Sequence, residues 1–200
     1  MKRIVSVLLA FVLCLCLVPV HHVQAAEVGG FQVTATNSEE TLEDGVDYSY
    51  SADTGVLTVL SDKAITIQNI DPSVPTSDQI FVSDGVNAVI TLAGVNIVPK
   101  SGSSFQIADN SKGDVTVILA DGTENILTVT STDHAALQKN GGEDSGTLVI
   151  KGNGMLSATG NWNGAGIGGG GISDTANIVI ESGTIMASAG KESGAAAIGG

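Results

Sequence analysis

Short apolar strands recur along this chain at a nearly fixed interval, and this repeat limits the folds open to it. The apolar centres of the strongest predicted strands are Ile65, Ile90, Val117, Val149 and Val179. Successive centres lie 25 to 32 residues apart. Self-similarity at periods of roughly 20 to 50 residues is typical of repeat architectures, in which each unit completes its core by stacking on its neighbours.

Each repeat contains two or three short strands and no segment with the apolar spacing of an amphipathic helix. NAVITLAGVNIV (87–98), for example, is predicted as one long strand. The pattern predicts an all-β protein, a right-handed parallel β-helix whose coils each span about one repeat. A β-sandwich is the competing fold, but its strands recur every 8 to 12 residues without a long internal period.

The last two units align in detail and show what the glycine-rich segments do. LVIKGNGMLSATGNWNGAGIGGG lies over IVIESGTIMASAGKESGAAAIGG, so that Ile167 corresponds to Ile198. GAGIGGGG (164–171) contains the G-x-G-x-x-G pattern of dinucleotide-binding loops. That loop needs a helix directly after it, and here a turn and a strand follow. We therefore predict a coil corner, with Ile167 pointing inward and the glycines allowing close stacking.

The chain divides into three predicted regions. Residues 1–26 resemble a secretory signal peptide, because Lys2 and Arg3 precede an apolar run too short for a membrane span. This region contains both cysteines, so the mature chain would have no disulfide. Residues 27–54 are predicted to cap the solenoid, and residues 55–200 to form its coils. Because the coils end without a closing cap, we expect a longer protein, secreted or attached to the cell wall through a missing C-terminal region.

The charge of the chain narrows its possible partners. Aspartate and glutamate number 21 against 8 lysines and arginines, and the formal net charge is −13. Such a surface repels nucleic acid and anionic lipid and attracts divalent cations. We therefore expect neither nucleic acid nor, after signal cleavage, a membrane as partner.

Catalysis is not expected from the residues present. The only arginine, Arg3, lies in the predicted signal peptide, so the mature chain lacks the usual base of β-helix lyases. The adjacent acidic pairs fall in polar loops rather than on the strand face that a glycosidase uses. His134, the only histidine of the mature chain, is interpreted as an exposed loop residue. A polysaccharide lyase is kept only as a residual alternative.

Two acidic loops suggest a calcium site. Asp121 and Glu124 lie in DGTEN, and Glu143 and Asp144 lie in NGGEDSG of the following unit. Loops of successive coils can converge on one side, and carboxylate oxygens are the ligands that calcium prefers. The alternative is turn chemistry, in which Asp121 begins a tight corner and Asn125 bonds to the backbone along a ladder of coils.

A loop tryptophan suggests a carbohydrate site. Trp162 is the only tryptophan, and Asn161 and Asn163 flank it. An indole face can stack on a sugar ring while amides bond to its hydroxyl groups. We predict that Asn161, Trp162 and Asn163 bind carbohydrate; the alternative is that the tryptophan anchors its loop by packing.

Several of these segments resemble one known family. DGTENILTVTSTDHAALQKNGGEDSGTLVIKGNGMLSATGN (121–161) is similar to the carbohydrate-binding domain-containing β-helix proteins secreted by clostridia and related gut Firmicutes. The shared features are the turn 122–127, the strand 136–139 and the segment 148–159. VITLAGVNIV (89–98) resembles a further unit of that family, with Ala93 where aspartate is usual. The resemblance implies a pectate-lyase-like parallel β-helix, bound calcium, and binding of plant polysaccharide without cleavage.

Two functions therefore stand as predictions. The first is a secreted or cell-surface module that binds polysaccharide, a plant cell-wall or host glycan, without cleaving it and with calcium as a possible requirement. The second is a structural or adhesive stalk, whose coils only extend a larger surface protein.

Overall fold

A computed structural model of the chain describes residues 25–190 and 194–200. This part contains strands and turns but no helix, and it forms a parallel β-solenoid, as the repeat predicted. None of the described segments is a long apolar helix of the kind that crosses a membrane. Almost all of the predicted signal peptide, with Cys14 and Cys16, lies outside the described residues.

The strands follow one another around the coil in a repeated order. They are β1 (Ala26–Val28), β2 (Phe31–Ala35), β3 (Tyr48–Ser51), β4 (Val56–Val59), β5 (Ile65–Asn69), β6 (Gln79–Val82), β7 (Val89–Leu92), β8 (Asn96–Ile97), β9 (Phe105–Ile107), β10 (Val115–Leu119), β11 (Glu124–Thr128), β12 (Leu137–Lys139), β13 (Leu148–Gly152), β14 (Met155–Thr159), β15 (Ile167–Gly168), β16 (Ile178–Ile180), β17 (Thr184–Ser188) and β18 (Ile198–Gly199).

Three sheets form the walls of the solenoid. Sheet 1 has the order β1-β2-β5-β7-β10-β13-β16, sheet 2 the order β8-β11-β14-β17, and sheet 3 the order β3-β4-β6-β9-β12-β15-β18. Each complete coil gives one strand to each sheet, and the four such coils of the described chain begin at β7, β10, β13 and β16. The chain thus turns at three corners per coil: from sheet 1 to 2 (corner 1–2), from 2 to 3 (corner 2–3) and from 3 back to 1 (corner 3–1).

Alternating apolar residues fill the interior. Ile65 pairs with Ile90, Ile90 with Val117, and Val117 with Ile150, so that buried β-branched side chains stack along sheet 1. The sequence repeat placed Val149 and Val179 in this column, which is wrong by one residue for both, because Ile150 and Ile180 occupy it. Val149 pairs with Thr116 and lies on the partly exposed outer face. A slip of one residue exchanges the two faces of a strand, and both neighbouring residues here are apolar.

The segment 87–98 is not one strand, as its composition predicted, but two strands on either side of a corner. β7 ends at Leu92 and β8 begins at Asn96. Between them Gly94 has a φ of +92°, a left-handed conformation that glycine adopts without steric cost. Corner 1–2 is therefore made within an apolar run that shows no obvious break in sequence.

Two of the N-terminal strands, β2 and β3, run against the direction of the coils. β1 pairs antiparallel with β2, β2 antiparallel with β5, and β3 antiparallel with β4. Phe31 and Tyr48 on these strands are buried in the same core cluster as the coil residues. Residues 26–51 thus extend the interior of the solenoid beyond its first parallel strand.

Candidate functional site

Hydrogen bonds between coils hold the loops of corner 2–3 in register. The Thr130 hydroxyl donates to the backbone oxygen of Pro99, one coil earlier, over 3.3 Å. Asn161 Nδ2 donates in turn to the backbone oxygen of Thr130 over 2.7 Å. Pro99, Thr130 and Asn161 thus form a column of hydrogen-bonded residues across three coils. Because the column holds Asn161 in place, it also restrains the position of the next residue, Trp162.

Trp162 is held in an unusual backbone conformation with its side chain toward solvent. Its φ is +54°, and 47% of its surface is exposed. A bulky residue in the left-handed region is an outlier that persists only when its surroundings impose it, and such outliers cluster at functional sites. The coil above contributes to this restraint, because a Cβ atom at Gly190 would collide with the Trp162 backbone.

The structure brings Asn161, Trp162 and Asn163 together in one loop and gives the asparagines a role that sequence did not reveal. Asn163 Nδ2 donates to the Asp133 carboxylate over 2.8 Å, again across to the previous coil. Both amide nitrogens therefore hold the loop to the coil below, and Trp162 is the member of the trio whose side chain is presented to solvent.

A buried glutamine supports the loop below Trp162. Gln138 Oε1 accepts hydrogen bonds from the Ser103 hydroxyl at 2.9 Å and the Ala135 N–H at 3.2 Å. The ring Nδ1 of His134 lies 3.3 Å from the same oxygen. His134 is partly buried, so its interpretation as an exposed loop residue is wrong. Gln138 was not predicted, since a single glutamine in an apolar strand gives no signal of burial.

Comparison with known proteins identifies the family. A model of a carbohydrate-binding domain-containing protein family matches residues 74–197, more than half of the chain. The chain belongs to this carbohydrate-binding family. The match includes corner 2–3 from Pro99 to Trp162, and it supports a carbohydrate as the partner. No curated protein and no solved structure matches the chain significantly.

The four acids predicted to bind calcium do not come together. Asp121, in the turn after β10, and Glu124, the first residue of β11, lie at corner 1–2, whereas Glu143 and Asp144 lie at corner 3–1, between β12 and β13. These corners flank opposite ends of the sheet 1 strands. Within the described ranges there is no group of three or more histidine, cysteine, aspartate or glutamate side chains placed to hold a metal. These four acids therefore do not form one calcium site.

The local contacts of these acids agree with the alternative of turn chemistry. The Thr123 N–H bonds to the Ala120 oxygen at 3.2 Å, and Gly122 has a φ of +69°, which together make a tight turn after Asp121. The Asp121 carboxylate accepts a hydrogen bond from Asn153 in the next coil at 3.0 Å. At the other corner, it is the backbone oxygen of Glu143 that accepts from Asn177 at 2.9 Å.

Asn125 forms the predicted ladder inside corner 1–2. Its Oδ1 accepts from the N–H groups of Gly94 at 2.9 Å and Val95 at 3.1 Å, and its Nδ2 donates to the Met155 oxygen at 3.1 Å. The side chain is fully buried and joins three successive coils. This residue has a structural role, because corner backbone groups that face the interior need a partner there.

The glycines of segment 164–171 serve close stacking, as predicted. A Cβ atom at Gly164 would collide with the His134 backbone, and one at Gly168 with the Gly199 backbone. Ile167 is buried and pairs with Ile198, which confirms the alignment of the last two units. Glycine at these positions lets each coil approach the next at corner 2–3 and along sheet 3.

Proposed function

We propose that the protein is a non-catalytic polysaccharide-binding module that acts outside the cell and binds glycan at corner 2–3, with Trp162 as its stacking platform. The observation that carries this proposal is the half-exposed indole held in a left-handed backbone by hydrogen bonds to the coil below. A bulky residue with a left-handed backbone is an outlier of the kind that clusters at functional sites. Membership of the carbohydrate-binding family supports sugar as the ligand.

The chemistry of the loop suits a sugar ring. The indole offers a flat apolar face for stacking against ring C–H groups, and its N–H is a donor. Asp133 and Asn163 beside it carry oxygen atoms that can accept hydrogen bonds from hydroxyl groups. Because the loop is already tied to Thr130 and Asp133, little conformational entropy is lost when a glycan binds.

A binding role without cleavage fits the composition of this corner. Glycoside hydrolysis uses two carboxyl groups on either side of the scissile bond. The acid next to the loop, Asp133, accepts a hydrogen bond from the Asn163 amide, and the neighbouring column consists of Pro99, Thr130 and Asn161, none of which is an acid. Export follows from the signal-like pattern of residues 1–26 and is part of the proposal.

The test is a glycan array probed with the secreted form of the chain, with and without added calcium. We expect retention on a restricted set of plant cell-wall or host polysaccharides, with release of no shortened product. Failure to bind any glycan would remove this function and favour the stalk, whose coils only extend a larger protein. The glycan that is retained most strongly is the ligand for the binding measurements in the Discussion.

A further inference from the structure

A polar cavity lies on the same corner as Trp162, closer to the N-terminal end of the solenoid. Its volume is about 130 Å³. Three separate segments line it: the turn 52–55 between β3 and β4, residues 77–79 at the start of β6, and residues 100–101 in the loop before β9. Residues 100–101 belong to corner 2–3, and residues 77–79 lie at the equivalent place one coil earlier, because Thr76 pairs with Ile97 of β8.

The polar groups around this cavity are fixed in place. Asp78 Oδ2 accepts the Gly30 N–H at 2.7 Å, and the same carboxylate is bonded to the Tyr50 hydroxyl. Gln79 Nε2 donates to the backbone oxygens of Ser101 at 2.6 Å and Ser103 at 2.7 Å. A site whose groups are already oriented loses little entropy on binding.

A glycine keeps one carboxylate oxygen beside the open space. Gly55, which lines the cavity, has a φ of +67°. A Cβ atom at this residue would lie only 2.8 Å from Asp78 Oδ1. The missing side chain therefore leaves that oxygen next to the cavity rather than behind a methyl group.

The charge of the cavity favours an uncharged ligand. Asp53 and Asp78 contribute two carboxylates, against the single ammonium group of Lys100. The whole chain, with these three residues included, has a formal net charge of −13. Carboxylates accept hydrogen bonds from sugar hydroxyls but repel the carboxylates of a uronate, and the surrounding field repels a polyuronate further.

The inter-coil column places this cavity in line with Trp162. Lys100 follows Pro99, and Trp162 follows Asn161, and these two preceding residues are joined through Thr130. Lys100 and Trp162 are therefore two coils apart, roughly 10 Å at the spacing of neighbouring strands. One extended glycan lying along the corner could contact both.

We propose that the cavity of Asp53, Asp78 and Lys100 is a second sugar subsite, and that a single neutral polysaccharide runs along corner 2–3 from Trp162 into it. This inference rests on the proposed function at Trp162 and deepens it by naming the ligand class and the direction in which the chain lies. The cavity also extends the site to the turn 52–55, outside the matched segment 74–197.

The experiment compares Asp53→Asn and Lys100→Ala with the wild-type chain in affinity gel electrophoresis. Both residues are exposed, so these variants keep the fold, whereas Asp78 also holds Gly30 and is left unchanged. The matched controls are Asp84→Asn, an exposed acid in a turn of corner 3–1, and Lys151→Ala on sheet 1. The probes are soluble xyloglucan and galactomannan, which are neutral, and polygalacturonate, which is acidic.

We expect wild-type protein to be retarded by at least one neutral polymer and not by polygalacturonate. Asp53→Asn and Lys100→Ala should weaken retardation at least fivefold, while both controls migrate like wild type. If the two cavity variants bind like wild type while Trp162→Ala has lost binding, the second subsite is wrong and the Trp162 site stands. If polygalacturonate retards the wild-type protein as strongly as the neutral polymers or more strongly, the ligand is not a neutral polysaccharide. If wild-type protein binds none of the three polymers and no glycan on the array, both the second subsite and the proposed function are wrong.

Discussion

Asn161 Nδ2 donates a 2.7 Å hydrogen bond to the backbone oxygen of Thr130, one coil below. Because Trp162 directly follows Asn161, this bond determines where the exposed indole lies. Thr130 is itself bonded to Pro99, so the position of the tryptophan is set by the same column that stacks the coils. The candidate sugar site therefore depends on the same hydrogen bonds that stack the coils on one another.

Replacing Asn161 should affect both stability and binding. Asn161→Ala removes one hydrogen bond between coils, and we expect the free energy of unfolding in urea to fall by about 1 kcal/mol. Retention on the glycan selected by the array should fall as well, because the Trp162 loop loses its tie to Thr130. Asn153→Ala is the control: it removes a comparable bond, to Asp121 at corner 1–2. If Asn161→Ala and Asn153→Ala are retained equally on the glycan, Asn161 does not position the sugar site.

Replacing Asn125 should affect stability alone. Asn125→Ala leaves the buried N–H groups of Gly94 and Val95 without partners, and each such group costs about 1–3 kcal/mol. We expect a loss of about 3 kcal/mol or more in the free energy of urea unfolding. Any folded fraction should keep wild-type glycan affinity, since corner 1–2 is remote from Trp162. A loss below about 0.5 kcal/mol, the usual range for surface substitutions, would contradict the ladder.

Asp47 makes stability depend on acidic pH. Burial raises the pKa of this carboxyl, but hydrogen bonds from Lys63 at 2.8 Å, from Ser61 and from the Glu43 N–H outweigh burial and leave the pKa below its ordinary value of 3.8. A carboxyl with a lowered folded pKa stabilises the protein fully above its unfolded pKa. That contribution is lost as pH falls through the lower folded value.

We therefore expect wild type to lose more stability between about pH 5 and pH 2 than Asp47→Asn does. At neutral pH the variant should be less stable by about 1–3 kcal/mol, because it breaks a hydrogen-bonded ion pair at a buried group. Urea unfolding across this range measures both quantities, with Asp84→Asn as the exposed control. Parallel curves for wild type and Asp47→Asn would show that the Lys63 contact does not set the pH dependence.

Calcium should not stabilise the described coils. A ligand present at 100 times its Kd raises the free energy of unfolding by about 2.7 kcal/mol, which moves the melting temperature by several degrees. Because Asp121 and Glu124 lie at a different corner from Glu143 and Asp144, we expect a shift of less than about 1 °C between EDTA and millimolar calcium. A larger shift that Asp121→Asn abolishes would restore the calcium site predicted from sequence.

The fold could be predicted because its signal is repeated in every coil. Ile65, Ile90 and Val117 mark the same inward column, and the turn residues recur between them. The register failed at Val149 and Val179, where adjacent apolar residues make the inward position ambiguous. The corner at Gly94 was missed because its partner, the Asn125 side chain, comes from the next coil and not from the local sequence.

Sequence predicted which loop forms the candidate site but not the contacts between coils that shape it. A lone tryptophan between two asparagines marked the loop, but its left-handed backbone and the ties to Thr130 and Asp133 depend on stacking between coils. The convergence of the acids was predicted wrongly, because sequence order does not show that a coil turns at three corners. The cavity gave no signal, since residues 52–55, 77–79 and 100–101 meet only in the fold.

The central claim is that Trp162 binds sugar and is held in a strained conformation for that purpose. Trp162→Ala and Trp162→Gly remove the same ring, but only glycine tolerates a φ of +54° without strain. The most direct measurement is the affinity of both variants for the glycan selected by the array, with urea unfolding alongside. We expect both to lose binding at least tenfold, with Trp162→Gly more stable than Trp162→Ala by about 1 kcal/mol. Wild-type affinity in either variant would contradict the account.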